Sequence, residues 1–293
     1  MNNIPKIIHQ IWLGTLPIPS SYLKCMETIK EKHPTWEYKL WTDDNLPTDF
    51  ILKESFEGNN LVADDMGNPN DPCSIGRLKN NYARKADVLR LSLLWHFGGV
   101  YMDVDMEALK PIDDLLTGLE FFIGSELWPA ELWAFTNSVK SEGHTIPIPA
   151  CTTNSIIGSA PNSKFLELPI KIVEERHSKE GFQKLVNEKS TSIPKLCGPL
   201  LWQDVTCNPD YGNPVLYRLN PACKIFDPPY FYPFRWDESV RPRDIKIPTD
   251  PQLYPESYLV HHYGATWMYS PVVWLDTDTG EYKKLVKGEN TNA

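Results

Sequence analysis

Residues 84–105 read Arg-Lys-Ala-Asp-Val-Leu-Arg-Leu-Ser-Leu-Leu-Trp-His-Phe-Gly-Gly-Val-Tyr-Met-Asp-Val-Asp: a helix, a diglycine break and a short strand ending in two carboxylates. Leu91, Leu94 and Trp95 recur at three- and four-residue spacing, the mark of a buried helix face. Asp87 and Arg90 lie one turn apart, so they project from neighbouring parts of one surface. Gly98 and Gly99 end the helix because glycine takes positive φ without strain. Beyond them Val100, Met102 and Val104 alternate with Tyr101, Asp103 and Asp105. A period of two puts the apolar trio on one side and the tyrosine with both aspartates on the other.

Two carboxylates at i and i+2 offer hard oxygen ligands to a divalent cation, with room left for water and for the phosphates of a bound nucleotide. An exposed strand end with two solvated acids is the bland alternative, and Asp-x-Asp alone is common by chance. The amphipathic helix, the Asp-x-x-Arg pair and the diglycine turn in front of it favour the site.

Outward from this block, Ile4 to Leu13 is a near-continuous apolar run broken by Pro5, Lys6, His9 and Gln10, which reads as a buried parallel strand. Ser20 or Ser21 is expected to cap a helix reaching about Lys32, with Tyr22, Met26 and Ile29 inward. Trp36 to Thr42 is a second strand. Strand, helix and strand at this spacing open a Rossmann-like sheet. Residues 57–81 read as a loop-like surface insertion. Pro111 opens a short helix to about Thr117, Leu119 to Gly124 is a further strand, and 151–168 holds a strand followed by a helix from about Ser163. The proline- and aromatic-rich stretch 208–257, with Phe231-Tyr232-Pro233-Phe234, predicts short strands and ordered loops. The expectation is one domain over 1–284 and a flexible tail over 285–293.

A second motif lies at Tyr258-Leu-Val-His-His-Tyr-Gly-Ala-Thr-Trp267. Adjacent histidines on a strand face opposite ways, so only one of His261 and His262 can join a given site. With the block at 84–105 and the Ile-Pro-Lys-Ile-Ile-His run at 4–9, this resembles the Asp-x-Asp glycosyltransferases of the GT-A fold. It is most similar to family 32, which holds yeast α-1,6-mannosyl-, α-1,4-galactosyl- and capsule-forming transferases. The clostridial glucosylating toxins share the core more distantly. The resemblance is strongest over residues 4–45 and 83–113, patchy to about 206, and returns at 258–267.

The resemblance implies an α/β GT-A fold, a Rossmann-like mixed central sheet flanked by helices. It also implies Mn²⁺ or Mg²⁺ held by Asp105 and Asp103 and completed by His261, with His262 as the alternative. By the same resemblance Asp87 and Arg90 face the donor ribose and sugar, Tyr101 packs close to the donor, and Trp12 stacks on the nucleobase. Such stacking is worth ~1–3 kcal/mol by analogy with base–aromatic contacts. A core tryptophan is the alternative, since the chain has ten. Thr266 and Trp267 would close over the diphosphate, threonine replacing the serine usual in relatives. Asn154, which the resemblance places among the donor-binding residues, and the turn Cys197-Gly198-Pro199 match positions near the acceptor face, although relatives more often have threonine before Gly-Pro. His9 and Gln10 read as hydrogen-bonded structure before they read as ligands.

The chain has 293 residues with 41% hydrophobic and 23% charged, ordinary for a globular protein with a substantial core. A net charge of −9 argues against nucleic acid as the main partner. No stretch approaches the ~20 apolar residues of a transmembrane segment. The start Met-Asn-Asn-Ile-Pro-Lys lacks the apolar core of a signal peptide, and the expected compartment is cytoplasmic, with a trimmed anchor as the alternative. Six cysteines show no zinc spacing and read as buried thiols, a bridge among Cys197, Cys207 and Cys223 being the other option.

The expected function is therefore metal-dependent transfer of a hexose from a UDP- or GDP-linked nucleotide sugar to a hydroxyl of a glycan or other acceptor. The resemblance adds retention of configuration, and Asp103, Asp105 and Arg90 as the catalytic set. Absence of an evident nucleophile carboxylate favours front-face attack. Two rivals are a nucleotide-sugar-binding protein with weak catalysis and an Asp-based phosphatase. The latter places threonine or valine two residues after the second aspartate, where this chain has Glu107.

Overall fold

The computed structural model describes residues 3–61, 81–126, 138–148, 150–188, 192–234, 247–263, 273–276 and 281–284, the last two as backbone only. The strands in chain order are β1 (Ile7–Ile11), β2 (Glu37–Trp41), β3 (Gly99–Met102), β4 (Met106–Ala108), β5 (Phe121–Glu126), β6 (Ser138–Ser141), β7 (His144–Pro147), β8 (Cys151–Ser159), β9 (Cys223–Phe226), β10 (Leu259–His261), β11 (Val273–Asp276) and β12 (Glu281–Lys284). Six of them form one mixed sheet in the order β2-β1-β3-β8-β5-β9. β1 runs parallel to β2 and β3, while β8 pairs antiparallel with β3 and β5. The Rossmann-like mixed sheet expected of the GT-A class is present. β4 and β10 pair with each other beside it, and β6–β7 and β11–β12 are hairpins.

Helices α1 (Ser20–Lys32), α2 (Lys53–Glu57) and α3 (Tyr82–Phe97) precede β3, and the helices Lys164–His177 and Pro199–Cys207 follow β8. α1 buries Tyr22, Met26 and Ile29 as expected, but Pro19 occupies its N-cap and no side chain caps it. α3 starts two residues before the quoted block, because Asn81 accepts from the Arg84 N–H and supplies the cap. Its expected face is inward, with Leu91 and Leu94 wholly buried and Trp95 partly so.

The sheet is buried on both faces. Val100 and Met102 pack with Ile8, Ile29, Phe122 and Ile156 on one side. Tyr101 packs with Leu91, Phe121, Ile157 and Trp202 on the other. Each fully buried large side chain contributes about 1.5–3 kcal/mol relative to exposure. The diglycine is obligatory at the entry to β3. Gly98 and Gly99 have φ of 63° and 94°, and a Cβ on Gly99 would sit 2.5 Å from the Ile7 carbonyl. Close approach of β1 and β3 therefore requires glycine there.

Segment boundaries elsewhere follow the expectation closely. Ser163 caps the helix after β8 through the Phe165 N–H. The helix after Pro111 is a 3₁₀ turn at Asp113–Leu116. The strand expected over 119–124 runs to Glu126. Cys25, Cys151, Cys197, Cys207 and Cys223 are free and buried, so no bridge links the last three. Most of the insertion read at 57–81 and the whole tail 285–293 lie outside the described residues. Among the described residues no helix is long and apolar enough to cross a membrane.

Candidate active site

The strand carrying the two aspartates is shorter than its alternation suggests. β3 ends at Met102, where the Asp103 N–H donates to Ser155 O on β8 at 2.8 Å. The Met106 N–H then donates to Asp103 O at 3.1 Å, closing a turn from which β4 departs. Asp103 and Asp105 come together through this turn and not through strand pleating. The apolar partner Val104 packs with Tyr22 and Met26, away from the main clusters.

β4 pairs with β10 so that His261 lies opposite Met106, and the His262 N–H donates to Asp105 O at 3.1 Å. That register sets His261 Nε2 3.3 Å from Asp105 Oδ1 and 3.8 Å from Asp103 Oδ2. Adjacent residues face opposite ways, and His262 Nε2 pairs with Glu107 Oε2 at 2.9 Å. Glu107 is fully buried and also accepts from the Thr249 N–H and hydroxyl. His261, and not His262, stands beside the carboxylates.

Burial by itself would lower the His261 pKa, but the charge and hydrogen bond of Asp105, joined by Asp103, carry it upward. The same surplus of negative charge that holds a proton on His261 would hold a cation. Tyr263 lies 4.3 Å from the His261 ring, centroid to centroid, and Tyr232 meets it edge-on at 5.6 Å. These two rings fix the imidazole plane.

The inner face of α3 supplies a second group of polar residues. Arg90 Nη2 is 2.7 Å from Asp87 Oδ1, its Nη1 donates to Asn154 O, and the same nitrogen is 3.5 Å from Asp103 Oδ1. Its guanidinium stacks 4.2 Å over the Tyr101 ring. Tyr101 in turn donates to Asp103 Oδ1 at 2.6 Å, and Asn154 Nδ2 donates to Asp87 Oδ1 at 2.7 Å. Burial pushes the Asp87 carboxyl up to about 7 against the pull of Arg90. Tyr101 is therefore a buried support beneath Arg90, 2% exposed. Asn154 and the Cys197-Gly198 turn also border this group: a Cβ on Gly198 would lie 3.1 Å from Asp87 Oδ2. Both belong to the Asp87 side of the site.

Trp12 directly follows β1, at the carboxyl end where open α/β sheets bind ligands. Its N–H donates to Trp41 O, its Nε1 donates to Leu16 O, and its ring meets Tyr22 edge-on at 6.1 Å. It is half-buried, with one part of the indole anchored and the rest at the surface.

Residues 19–122 match the family described as the glycosyltransferase sugar-binding region containing the DXD motif. The DXD region includes Asp87, Arg90, Tyr101, Asp103 and Asp105. Inositol phosphoceramide mannosyltransferase 2 of Schizosaccharomyces pombe is 25% identical over 276 residues, 90% of this chain and 58% of that one. Inositol phosphoceramide mannosyltransferase 1 of the same yeast is 30% identical over 128 residues, 43% of this chain and 35% of the relative. An uncharacterized glycosyltransferase of Acanthamoeba polyphaga mimivirus is 32% identical over 160 residues, 54% of this chain and 51% of the relative. The chain thus spans less than two thirds of these relatives. Among solved structures, PaToxG glycosyltransferase overlaps 68% of this chain and 67% of its own at 18% identity, with a TM-score of 0.42.

The DXD turn and β10 suit a divalent cation. One ligand atom each from Asp103, Asp105 and His261 lies within 4.8 Å of the others, and no other such group of three exists among the described residues. Two carboxylates and an imidazole form a mixed oxygen and nitrogen donor set of the kind that could hold a divalent cation. His9 is not a ligand: its Nδ1 accepts from Trp41 Nε1 at 3.0 Å and its Nε2 donates to Gly98 O at 2.9 Å. Thr266 and Trp267 lie outside the described residues.

Three residues of this region carry no recognisable sequence signal. Tyr232 lies within an aromatic-rich stretch that reads only as loop, and Tyr263 follows the histidines without a spacing rule. Glu126, at the end of β5, is 7% exposed and its charge raises both His261 and Tyr263. A lone glutamate at a strand end gives sequence reasoning nothing to select it by.

Proposed function

We propose that this protein is a metal-dependent hexosyltransferase that moves a sugar from a UDP- or GDP-linked donor to a hydroxyl of a glycan or other acceptor, with the cytoplasm as its compartment. The observation that carries the reading is the meeting of Asp103, Asp105 and His261 beside the buried Asp87–Arg90 pair. Asp105, Asp103 and His261 would hold Mn²⁺ or Mg²⁺, whose charge offsets the negative charge developing on the departing diphosphate. Arg90 keeps its charge in place under that region, braced by Asp87, Asn154 O and the Tyr101 ring. Asp87 offers the donor hydroxyls a carboxylate already oriented by Asn154. Trp12 supplies a rim on which the nucleobase stacks, and Thr266 with Trp267 completes the donor contacts. Retention through front-face attack is part of the proposal.

Mannose is the first sugar to test, because the yeast relatives are named for mannosyl transfer to an inositol phosphoceramide. The test is a panel of UDP- and GDP-sugars with Mn²⁺, read by thermal shift and by release of nucleoside diphosphate. One donor should raise the melting temperature and turn over slowly to free sugar. Asp105→Ala should abolish both without unfolding the protein. A panel with no stabilising donor, or an Asp105→Ala variant with wild-type turnover, would overturn the reading.

A further inference from the structure

β1 and β3 share only two backbone-paired positions, Ile8 with Val100 and His9 with Tyr101. Two consecutive side chains of β1 extend that short ladder at its ends. His9 reaches the Gly98 carbonyl where β3 begins, and Gln10 Nε2 donates to the Asp103 carbonyl at 3.0 Å, where it ends. Both residues are fully buried.

Gln10 can make this bond in only one of its two amide orientations. The Asp103 carbonyl only accepts, so the amide nitrogen must face it. The amide oxygen then faces the Tyr38 hydroxyl, which donates to it at 2.5 Å. Lys30 Nζ sits 4.5 Å over the Tyr38 ring and helps hold it. The Asp103 carbonyl receives its second hydrogen bond from the Met106 N–H that closes the turn. Its two acceptor sites are thus filled by the turn and by Gln10, while the Asp103 N–H is held by Ser155. On the side-chain end, Oδ1 takes the Tyr101 hydroxyl and Oδ2 is the oxygen nearer His261.

We infer that Gln10 is a positioning residue for the divalent-cation site: its amide, oriented by Tyr38, fixes the Asp103 main chain and so the separation of Asp103 from Asp105 and His261. This rests on the metal reading above. Nothing else in β1 bears on that carbonyl. Partners one step removed from a metal ligand typically change metal affinity 10–100-fold when lost.

The experiment measures Mn²⁺ binding by titration calorimetry, with and without UDP or GDP, alongside thermal stability. Gln10→Met keeps the volume and removes the donor. Tyr38→Phe removes one hydroxyl from a half-buried ring and leaves the fold intact even if Gln10→Met does not fold. His9→Gln perturbs the other end of the strand and serves as the control for general loosening. Expected is a rise in the Mn²⁺ dissociation constant of about tenfold or more for Gln10→Met, a smaller rise for Tyr38→Phe, and none for His9→Gln at a comparable loss of stability. If wild type binds Mn²⁺ and both Gln10→Met and Tyr38→Phe bind it equally well, the inference falls alone. Equal weakening in His9→Gln also overturns it, because loosening of β1 would then be the cause. If wild type takes up no Mn²⁺ even with nucleotide, the metal reading falls and takes the inference with it.

Discussion

Arg90 and Asp87 form a 2.7 Å ion pair whose side chains keep only 6% and 10% of their exposure. Removing one partner of such a pair strands the other charge in a poorly solvated place. Arg90→Ala should therefore cost about 3–5 kcal/mol of stability. Asp87, whose carboxyl burial has already pushed up to about 7, escapes part of that penalty by taking a proton. Adding Asp87→Asn to Arg90→Ala should recover stability but not donor binding. Denaturant unfolding of the two single variants and the double variant checks this. Additive losses would mean that the pair is not energetically coupled.

The two histidines of β10 should separate cleanly. His261→Ala should raise the Mn²⁺ concentration needed for the proposed transfer about tenfold or more while changing stability little. His262→Ala should instead destabilise the fold, because it takes the His262 bond from the fully buried Glu107 carboxylate, which keeps its bonds from Thr249. Its metal requirement should stay close to wild type. Metal titrations of activity, paired with melting curves, distinguish the two. The reverse pattern would place His262 in the site.

Much of this arrangement is legible in the chain because its signals are local. The helix at Tyr82–Phe97, the diglycine and the Asp-x-Asp element are contiguous, and periodicity specifies which residues share a face. Choosing His261 over His262 needed only the alternation of a strand and the family resemblance. The end of β3 at Met102 was not legible, because the Ser155 carbonyl that captures the Asp103 N–H belongs to a strand far along the chain. The same limit hides Tyr232, Glu126 and the role of Gln10: each acts through a partner from another element, and a glutamine inside an apolar run announces burial but not direction. The contact of Asn154 with Asp87 is hidden in the same way. It depends on the antiparallel register of β8 with β3, which no local pattern encodes.

Trp12→Ala should raise the Michaelis constant for the donor far more than it lowers kcat. A stacked base is held equally in ground and transition states, so its loss removes uniform binding worth about 1–3 kcal/mol, or roughly 5- to 150-fold in affinity. Trp12→Phe should retain most of it. Loss of the Trp12 Nε1 bond to Leu16 O loosens the loop after β1, and Trp12→Phe carries that same loss, so the two variants separate stacking from loop anchoring. A collapse of kcat at unchanged donor affinity would assign Trp12 to packing or to the acceptor.

His9 should make the fold acid-sensitive. It is buried, its Nδ1 accepts from Trp41 and its Nε2 donates to Gly98, an arrangement only the neutral ring can make. Burial, opposed by the Gly98 carbonyl, lowers its pKa from 6.5 to about 4. Between those values the unfolded chain holds the extra proton, so stability is complete above about 6.5 and falls as the pH drops toward about 4. A shift of this size is worth roughly 3 kcal/mol. His177, also lowered to about 4 by burial, acts in the same direction. Asp87 acts the other way, since the folded protein holds its proton up to about 7. Whole-protein pH curves mix these terms, and a single-residue comparison isolates one. The stability advantage of wild type over His9→Gln, measured by urea unfolding, should shrink by roughly 3 kcal/mol between pH 7 and pH 4. An advantage that stays constant across that range would mean His9 is charged in the folded state, which its bond from Trp41 Nε1–H does not permit.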